Sequence, residues 1–485
     1  LTTEHKLPRP TPHSPCWALP CTHHMQPPFH IAADIYTPVS EYLKLRKLQT
    51  RFLLESVEGG ERLARYSFLG FGNALEVRMD SAALTIDGES TARPGDQQQY
   101  LDALRGALAK APRPGPEVEG LPFAGGLVGV SGYDVVRLFE RLPRNTAAQD
   151  SVPDAAFVAP ESLLVFDHLT RRVALLHDGP EADRRALRSE VISCLRGPVP
   201  NGNGRVSATE ATASFTEAEF CERVEACKEY IASGDIYQIV ISVLFKGRSN
   251  VSPFEVYRAL RLLNPSPYMF FLEFGDLKVV GSSPEALVKL NGSTASLRPI
   301  AGTLPRGATT ADDRANEAAL LADPKEAAEH VMLVDLARND LGRVARAGTV
   351  HVDPYRSIER YSHVMHIVSG VKGELQEDRD QFDLFAASFP AGTLVGAPKV
   401  RAMEIIEEME AVGRGLYAGT AGYFGLTGDM DQAITIRTLV FSGDEFSFQA
   451  GAGIVADSVP ANEYREVLAK SAILRRALEI AGEGL

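Results

Sequence analysis

The 485-residue chain sets 50 Lys and Arg against 63 Asp and Glu, a net charge of −13, with 45% apolar and 23% charged residues. That balance belongs to an ordinary globular protein and excludes a broad basic face for nucleic acid, since phosphate neutralisation needs clustered Lys and Arg; an anionic ligand must be met by a metal or by a few focused cations. No apolar run reaches the roughly 18 residues of a membrane helix, and Cys16, Cys21, Cys194, Cys221 and Cys227 form neither a paired framework nor a CxxC pattern, which fits a reducing cytoplasm.

Residues 1–30 are rich in Pro and His, lack the apolar block of a signal peptide, and read as a disordered tail. A mixed region follows over residues 31–196. Val39 to Leu48 predicts a helix with Tyr42, Leu45 and Leu48 on one face, and Arg51 to Glu55 a short strand running to a turn at Glu58-Gly59-Gly60, with Ser56 as a cap or turn residue at its end. Alternation at Phe68 to Phe71, Leu75 to Val77 and Ala83 to Ile86 predicts half-buried antiparallel strands, and Gln97 to Leu108 a helix. Pro122 to Gly132 is Gly-rich but has neither nucleotide-loop spacing nor a following cation, so it predicts a closely packed strand. Gly197 to Gly204 is the clearest break, and residues 197–212 read as a linker.

The remaining stretch, residues 213–485, carries the chemistry. Thr216 and Glu219 have capping-box spacing ahead of a helix with Phe220, Val224, Cys227 and Ile231 on one face, which makes Cys221 and Cys227 core residues. Asp235 to Phe245 predicts a strand with Gln238 as its polar exception. A helix over Phe254 to Leu263, a turn at Asn264 to Pro267 and strands at Tyr268 to Leu272 and Leu277 to Gly281 lead to Ser283-Pro284-Glu285. Gly302-Thr303 at a strand end offers backbone N–H groups and a hydroxyl to an anion, a pattern shared with ordinary turns. Glu326 and Glu329 lie three apart on one helix, and Glu463 and Glu466 repeat the device on a second, with Lys470 four further on. Two such pairs suit Mg²⁺, although the same spacing also occurs on solvated faces. His363 and His366 share one turn, Lys399 lies at a helix N-terminus open to an anion, and Arg437 in an apolar strand needs a carboxylate from protein or ligand.

These islands and their order (LLES, GDIYQ, NPSPYM, SSPE, RPIAGT, EHVMLVDLARND, YSHVMH, GAPK, AITIRT, GAGIVADSVPANEYREVLAK) closely resemble the chorismate-utilising enzymes, and among them the anthranilate synthase large subunits, from about Phe52 to the C-terminus. The resemblance implies an α+β fold in which two mainly antiparallel sheets pack together with helices outside. It implies Mg²⁺ held by Glu329 and Glu466 with Glu326 and Glu463 nearby, the metal meeting the ring carboxylate of chorismate. Substrate binding falls to Gly302, Thr303, Tyr417, Arg437, Gly451, Ala452, Gly453 and Lys470. Glu285 is implied as the acid that protonates the departing C4 hydroxyl, and His366 as serving the later loss of pyruvate.

Two positions separate members of the family. Aminodeoxychorismate synthases carry a nucleophilic Lys where Ala301 stands here, and isochorismate and salicylate synthases a water-activating Lys where Gln238 stands, so ammonia from outside the chain is the implied nucleophile. The sequence contains no Gly-x-Cys-x-Gly glutaminase motif, which implies a glutamine amidotransferase as a separate subunit and hence a hetero-oligomer. Ser56, Pro267, Tyr268 and Met269 match the family's feedback site for tryptophan. An aminodeoxychorismate synthase without its Lys, a relative stopping at the amino intermediate, and a catalytically inert chorismate- or tryptophan-binding protein are the alternatives.

Overall fold

The computed structural model describes residues 29–57, 65–149, 151–200, 207–360 and 364–485. Most of the expected tail, the turn at Glu58-Gly59-Gly60, the second half of the break, Asn201 to Gly204, and His363 lie outside the described residues. Phe29 and His30, read as the end of the tail, open a strand, Phe29–Ala32, that pairs with Arg172–His177.

Among the described residues, strands are joined into one sheet of 21 and a separate sheet of three, with antiparallel ladders throughout the long pairings. Leu53 and Phe271 face a large core cluster that also collects the helices, whereas their neighbours Phe52 and Phe270 face a second cluster. The second cluster is built from strand and loop residues without any helix. The sheet is therefore curled so that strands pack on strands at one face and on helices at the other, which meets the two-layer α+β expectation. Strands from both halves of the chain share this sheet. Thr50–Glu55 pairs with Tyr268–Phe274, and Gly126–Ser131 with Thr420–Gly425. Thr212, the last residue of the expected linker, already pairs with Lys246.

Local signals explain where helices begin. Thr216 and Glu219 form the reciprocal capping box read from their spacing, and the helix Glu217–Ala232 follows. The first expected helix runs over Pro38–Leu45, capped by Thr37 and Ser40, and tightens into a single 3₁₀ turn, Arg46–Leu48. Glu41 on that helix is fully buried, and neither of its carboxyl oxygens has a hydrogen-bond partner among the described residues. Burial pushes the group from 4.5 up to about 8, with Lys44 pulling it partly back. A carboxyl raised by folding must hold its proton in the fold, so its stabilising contribution is present below its unfolded value and is lost as pH rises toward 8. Thermal melts at pH 5 and pH 8 are expected to show this loss in the parent chain and a clearly smaller one in Glu41→Gln.

Candidate active site

A polar cleft of about 400 Å³ opens where two central strands, two helices and two turns meet. Its floor is the ladder between Gln238–Arg248 and Glu445–Ile454, in which Val240 opposes Gly453 and Ser242 opposes Gly451. The glycines are required by close approach. A Cβ at Gly451 would stand 2.7 Å from Tyr417 Oη and 2.9 Å from the Ile241 carbonyl oxygen, and one at Gly453 would stand 2.9 Å from Gln238 Nε2. Ala452 between them turns the other way and is buried in the main core, as strand alternation dictates.

Each of the two helices contributes its paired carboxylates. Pro324–Gly342 brings Lys325, Glu326 and Glu329 to the cleft, and Pro460–Glu483 brings Glu463, Glu466 and Lys470. Burial raises the Glu326 carboxyl above its usual range and neighbouring Glu329 raises it further. Burial raises Glu463 too, opposed by a hydrogen bond to Ser458 and reinforced by Glu466. Lys470 Nζ donates to the Gly451 carbonyl at 2.9 Å and pairs with Glu466 at 2.7 Å. Among the described residues no three His, Cys, Asp or Glu converge as a ready metal cage. Mg²⁺ does not ask for one, since it keeps several waters and takes one or two carboxylates plus oxygens of its substrate. The donor set therefore fits that ion.

Glu285 follows the strand Leu277–Ser283 and lines the cleft. Protein atoms enclose its carboxyl, and burial pushes it up to about 7, against the pull of a Thr393 hydrogen bond and of the Arg437 and Lys470 charges. At neutral pH a large share of this group is thus protonated, as a proton donor requires. Arg437 lines the cleft from a left-handed backbone, φ 49°, whose carbonyl accepts from Ser282 N–H at 3.2 Å. A non-glycine residue held there is costly, by about 1–3 kcal/mol, and is found where surrounding structure imposes it.

Of the residues singled out in the sequence, Glu285, Glu329, Tyr417, Arg437, Gly451, Gly453, Glu466, Lys470 and Gln238 share this cleft. Gly302, Thr303 and His366 do not line it. They lie in the three-stranded sheet, where Ile300–Pro305 pairs with Val364–Val368 and Thr303 opposes His366. His366 Nδ1 is 3.0 Å from both the Gly302 carbonyl and Thr303 Oγ1. A bond to a carbonyl requires Nδ1 to carry the hydrogen, which leaves Nε2 with the lone pair of a base. A Cβ at Gly302 would stand 3.1 Å from Glu326 Oε2, so this group abuts the carboxylate wall.

A second cleft, of about 330 Å³, lies elsewhere on the curled sheet and collects Ser56, Pro267, Tyr268 and Met269 together with Lys289 and Asp431. Tyr268 Oη donates to Asp431 at 3.0 Å and Lys289 pairs with the same carboxylate at 2.9 Å. Sequence reading missed Asp431 and Lys289, whose positions on strands paired across the sheet are set by register alone. It also passed over Lys325 and Gln449 in the first cleft, and gave Thr393 no role.

Residues 49–476 match the family described as chorismate binding enzyme. The chain belongs to that family. Over 93% of its length it is 42% identical to anthranilate synthase component 1 of Acetivibrio thermocellus, covering 95% of that protein. It is 44% identical to the protein of the same name from Thermus thermophilus, over 93% of this chain and 97% of that one. Among solved structures it is similar to anthranilate synthase component I of Streptococcus pneumoniae TIGR4, with a TM-score of 0.77 and 36% identity over 85% of this chain and 92% of the other. The menaquinone-specific isochorismate synthase of Escherichia coli, at 20% identity and a TM-score of 0.67 over 92% of each chain, shares the fold. The chorismate binding enzyme fold thus accounts for the curled sheet, and its anthranilate synthase branch for the sequence. No helix among the described residues is long and apolar enough to cross a membrane.

Proposed function

We propose that the chain is the large subunit of an anthranilate synthase, which converts chorismate and ammonia to anthranilate, pyruvate and water, the committed step toward tryptophan. The observation that carries this reading is the meeting in one cleft of a largely protonated Glu285, two pairs of carboxylates on separate helices, and the cations Arg437 and Lys470. Arg437 and Lys470 receive the carboxylates of a dianionic substrate. Glu285 hands its proton to the C4 hydroxyl as that group leaves, because hydroxide is a poor leaving group and water a good one. Ammonia adds at C2 in the same step and the ring double bonds shift. Mg²⁺, held by Glu329 and Glu466 with Glu326 and Glu463 beside them, would neutralise the ring carboxylate in a protein of net charge −13.

Buried Ala301 supplies no amine to attack the ring, and Gln238 in the cleft supplies no base to activate water. Both favour ammonia from outside the chain, fed by a separate glutamine amidotransferase subunit in a hetero-oligomer; the relatives' name, component 1, is in keeping with a partner. His366, with Nε2 as the basic nitrogen, serves the later elimination of pyruvate, and Gly302 and Thr303 hold its ring. The second cleft is the seat of tryptophan as feedback inhibitor. Its mix of apolar wall and charged Asp431 and Lys289 suits an aromatic amino acid with an ammonium and a carboxylate.

The purified chain, incubated with chorismate, Mg²⁺ and concentrated ammonium salt at mildly alkaline pH, is expected to yield anthranilate and pyruvate, less of both when tryptophan is added. Isochorismate, salicylate or a para-amino product would move the chain to another branch of the family. No consumption of chorismate would favour a binding protein.

A further inference from the structure

The orientation of Glu285 is controlled by groups that the reaction scheme above does not use. Thr393 Oγ1 donates to Glu285 Oε1 at 3.1 Å. A carboxylic acid carries one proton, so an Oε1 that accepts from Thr393 leaves Oε2 to carry the proton that is transferred. Thr393 occupies the short 3₁₀ turn Gly392–Leu394, whose placement is strongly determined. At Gly392 a Cβ would stand 1.8 Å from Leu336 Cδ2, so the turn is packed directly on the helix that carries Glu326 and Glu329.

The other side of the turn is held by a buried cation. Arg414 is 2% exposed, and its Nη1 donates to the Leu394 carbonyl at 2.7 Å. Its Nη2 donates to the Val240 carbonyl and to Glu410 Oε1, each at 2.7 Å, and its Nε to Glu410 Oε2 at 3.0 Å. The guanidinium lies 5.0 Å from the Tyr133 ring centroid and 5.6 Å from that of Tyr417. Glu410 is fixed in turn by the N–H and hydroxyl of Ser242 at 2.9 and 2.7 Å, and Gln449 Nε2 donates to that hydroxyl at 2.8 Å. One guanidinium thus ties together the turn that bonds Glu285, the cleft floor at Val240, and the ring of Tyr417.

A buried ion pair of this kind is a poor way to gain stability, since well-packed apolar residues of similar volume usually do as well or better. Its distinguishing property is geometric. A planar fork satisfied on every side fixes several backbone positions against one another, and a catalytic group must be held within about half an ångström of its working place.

We propose that Thr393 is a positioning residue for the acid Glu285, selecting the oxygen that bears its proton, and that the buried Arg414–Glu410 pair anchors the turn from which it acts. This rests on the reading of Glu285 as the general acid. The Thr393 bond also opposes the burial that raises Glu285, so its removal moves the carboxyl further up.

The test is Thr393→Val in the full chain with chorismate, Mg²⁺ and ammonium. The expected result is a fall in kcat of about 10²-fold, the scale of a modest misplacement, with KM for chorismate little changed, the alkaline limb of the pH profile displaced upward, and recovery in Thr393→Ser. Arg414→Lys is expected to lower kcat with the same sparing of KM. Parental kcat in Thr393→Val, or a loss shared by KM and thermal midpoint with an unmoved limb, would overturn the proposal. If the parent chain consumes no chorismate, the functional reading fails by itself. The positioning is then still decided by the infrared carboxyl band of Glu285, identified by its absence in Glu285→Gln. That band must shift in Thr393→Val, and an unchanged band overturns the proposal.

Discussion

Glu285→Gln is expected to lower kcat for ammonia-dependent anthranilate formation by about 10³-fold, within the range supplied by a positioned general acid, while leaving KM for chorismate within a few-fold. The amide keeps the shape of the side chain and can still accept from Thr393 at the Oε1 position, so the cleft is not expected to collapse. What is lost is the proton. The pH dependence separates this from a loss of binding. With its carboxyl pushed up to about 7, mainly by burial, the parent chain holds the working acid below that pH and loses it as pH rises through it, so kcat should fall on the alkaline side. In Glu285→Gln no group titrates at that position and the residual rate should lose this limb. A variant retaining the alkaline limb would assign it to another residue, and a variant with parental kcat would remove Glu285 from the chemistry. The measurement is kcat and kcat/KM for chorismate from pH 6 to 9, at saturating Mg²⁺ and with ammonia, not ammonium, held constant.

Local chemistry made much of the fold legible before any coordinates. The Thr216 and Glu219 capping box appears as read, and the paired glutamates do reach one cleft from two helices. Features that depend on distant register were not legible. Nothing in Thr50–Glu55 says that it lies beside Tyr268–Phe274, because a strand's apolar alternation sets its faces and not its neighbours. The same limit hid Asp431 and Lys289, and it hid the pairing that sets Gly302, Thr303 and His366 together in the three-stranded sheet, beside the lining of the cleft. Arg414 and Glu410 were opaque for another reason. At i and i+4 they have the spacing of a surface helical pair, yet Glu410 ends the helix Lys399–Met409 and both side chains are buried. Glu41 was not singled out either, a charged residue of the helix Pro38–Leu45 that turns inward with Tyr42 and Leu45.

Glu329→Gln and Glu466→Gln are each expected to reduce turnover by at least about 10²-fold, the scale reported for disturbing a metal site's immediate surroundings, and the sign of their effect on chorismate binding decides why. Four helix-borne carboxylates share this cleft with Glu285, and among the described residues Arg437, Lys325 and Lys470 offset them. Were the glutamates merely solvated, replacing one by a neutral amide would remove repulsion from a dianionic substrate, and chorismate would bind more tightly. If instead they hold Mg²⁺ against the substrate carboxylate, the same replacement weakens the ion's hold and chorismate binds less well in its presence. Folding cannot confuse the outcome. The Glu466–Lys470 pair is half-exposed, 47% on each side, and such surface pairs contribute only about 0–1 kcal/mol. Lys470 also keeps its bond to the Gly451 carbonyl when its partner is neutral. The measurement is chorismate affinity by calorimetry with and without Mg²⁺, alongside thermal midpoints. Tighter binding of chorismate in both variants, with Mg²⁺ present, would return these carboxylates to the solvated face of an ordinary helix pair and leave the cleft's cations, Arg437, Lys470 and Lys325, as the substrate's counter-charges.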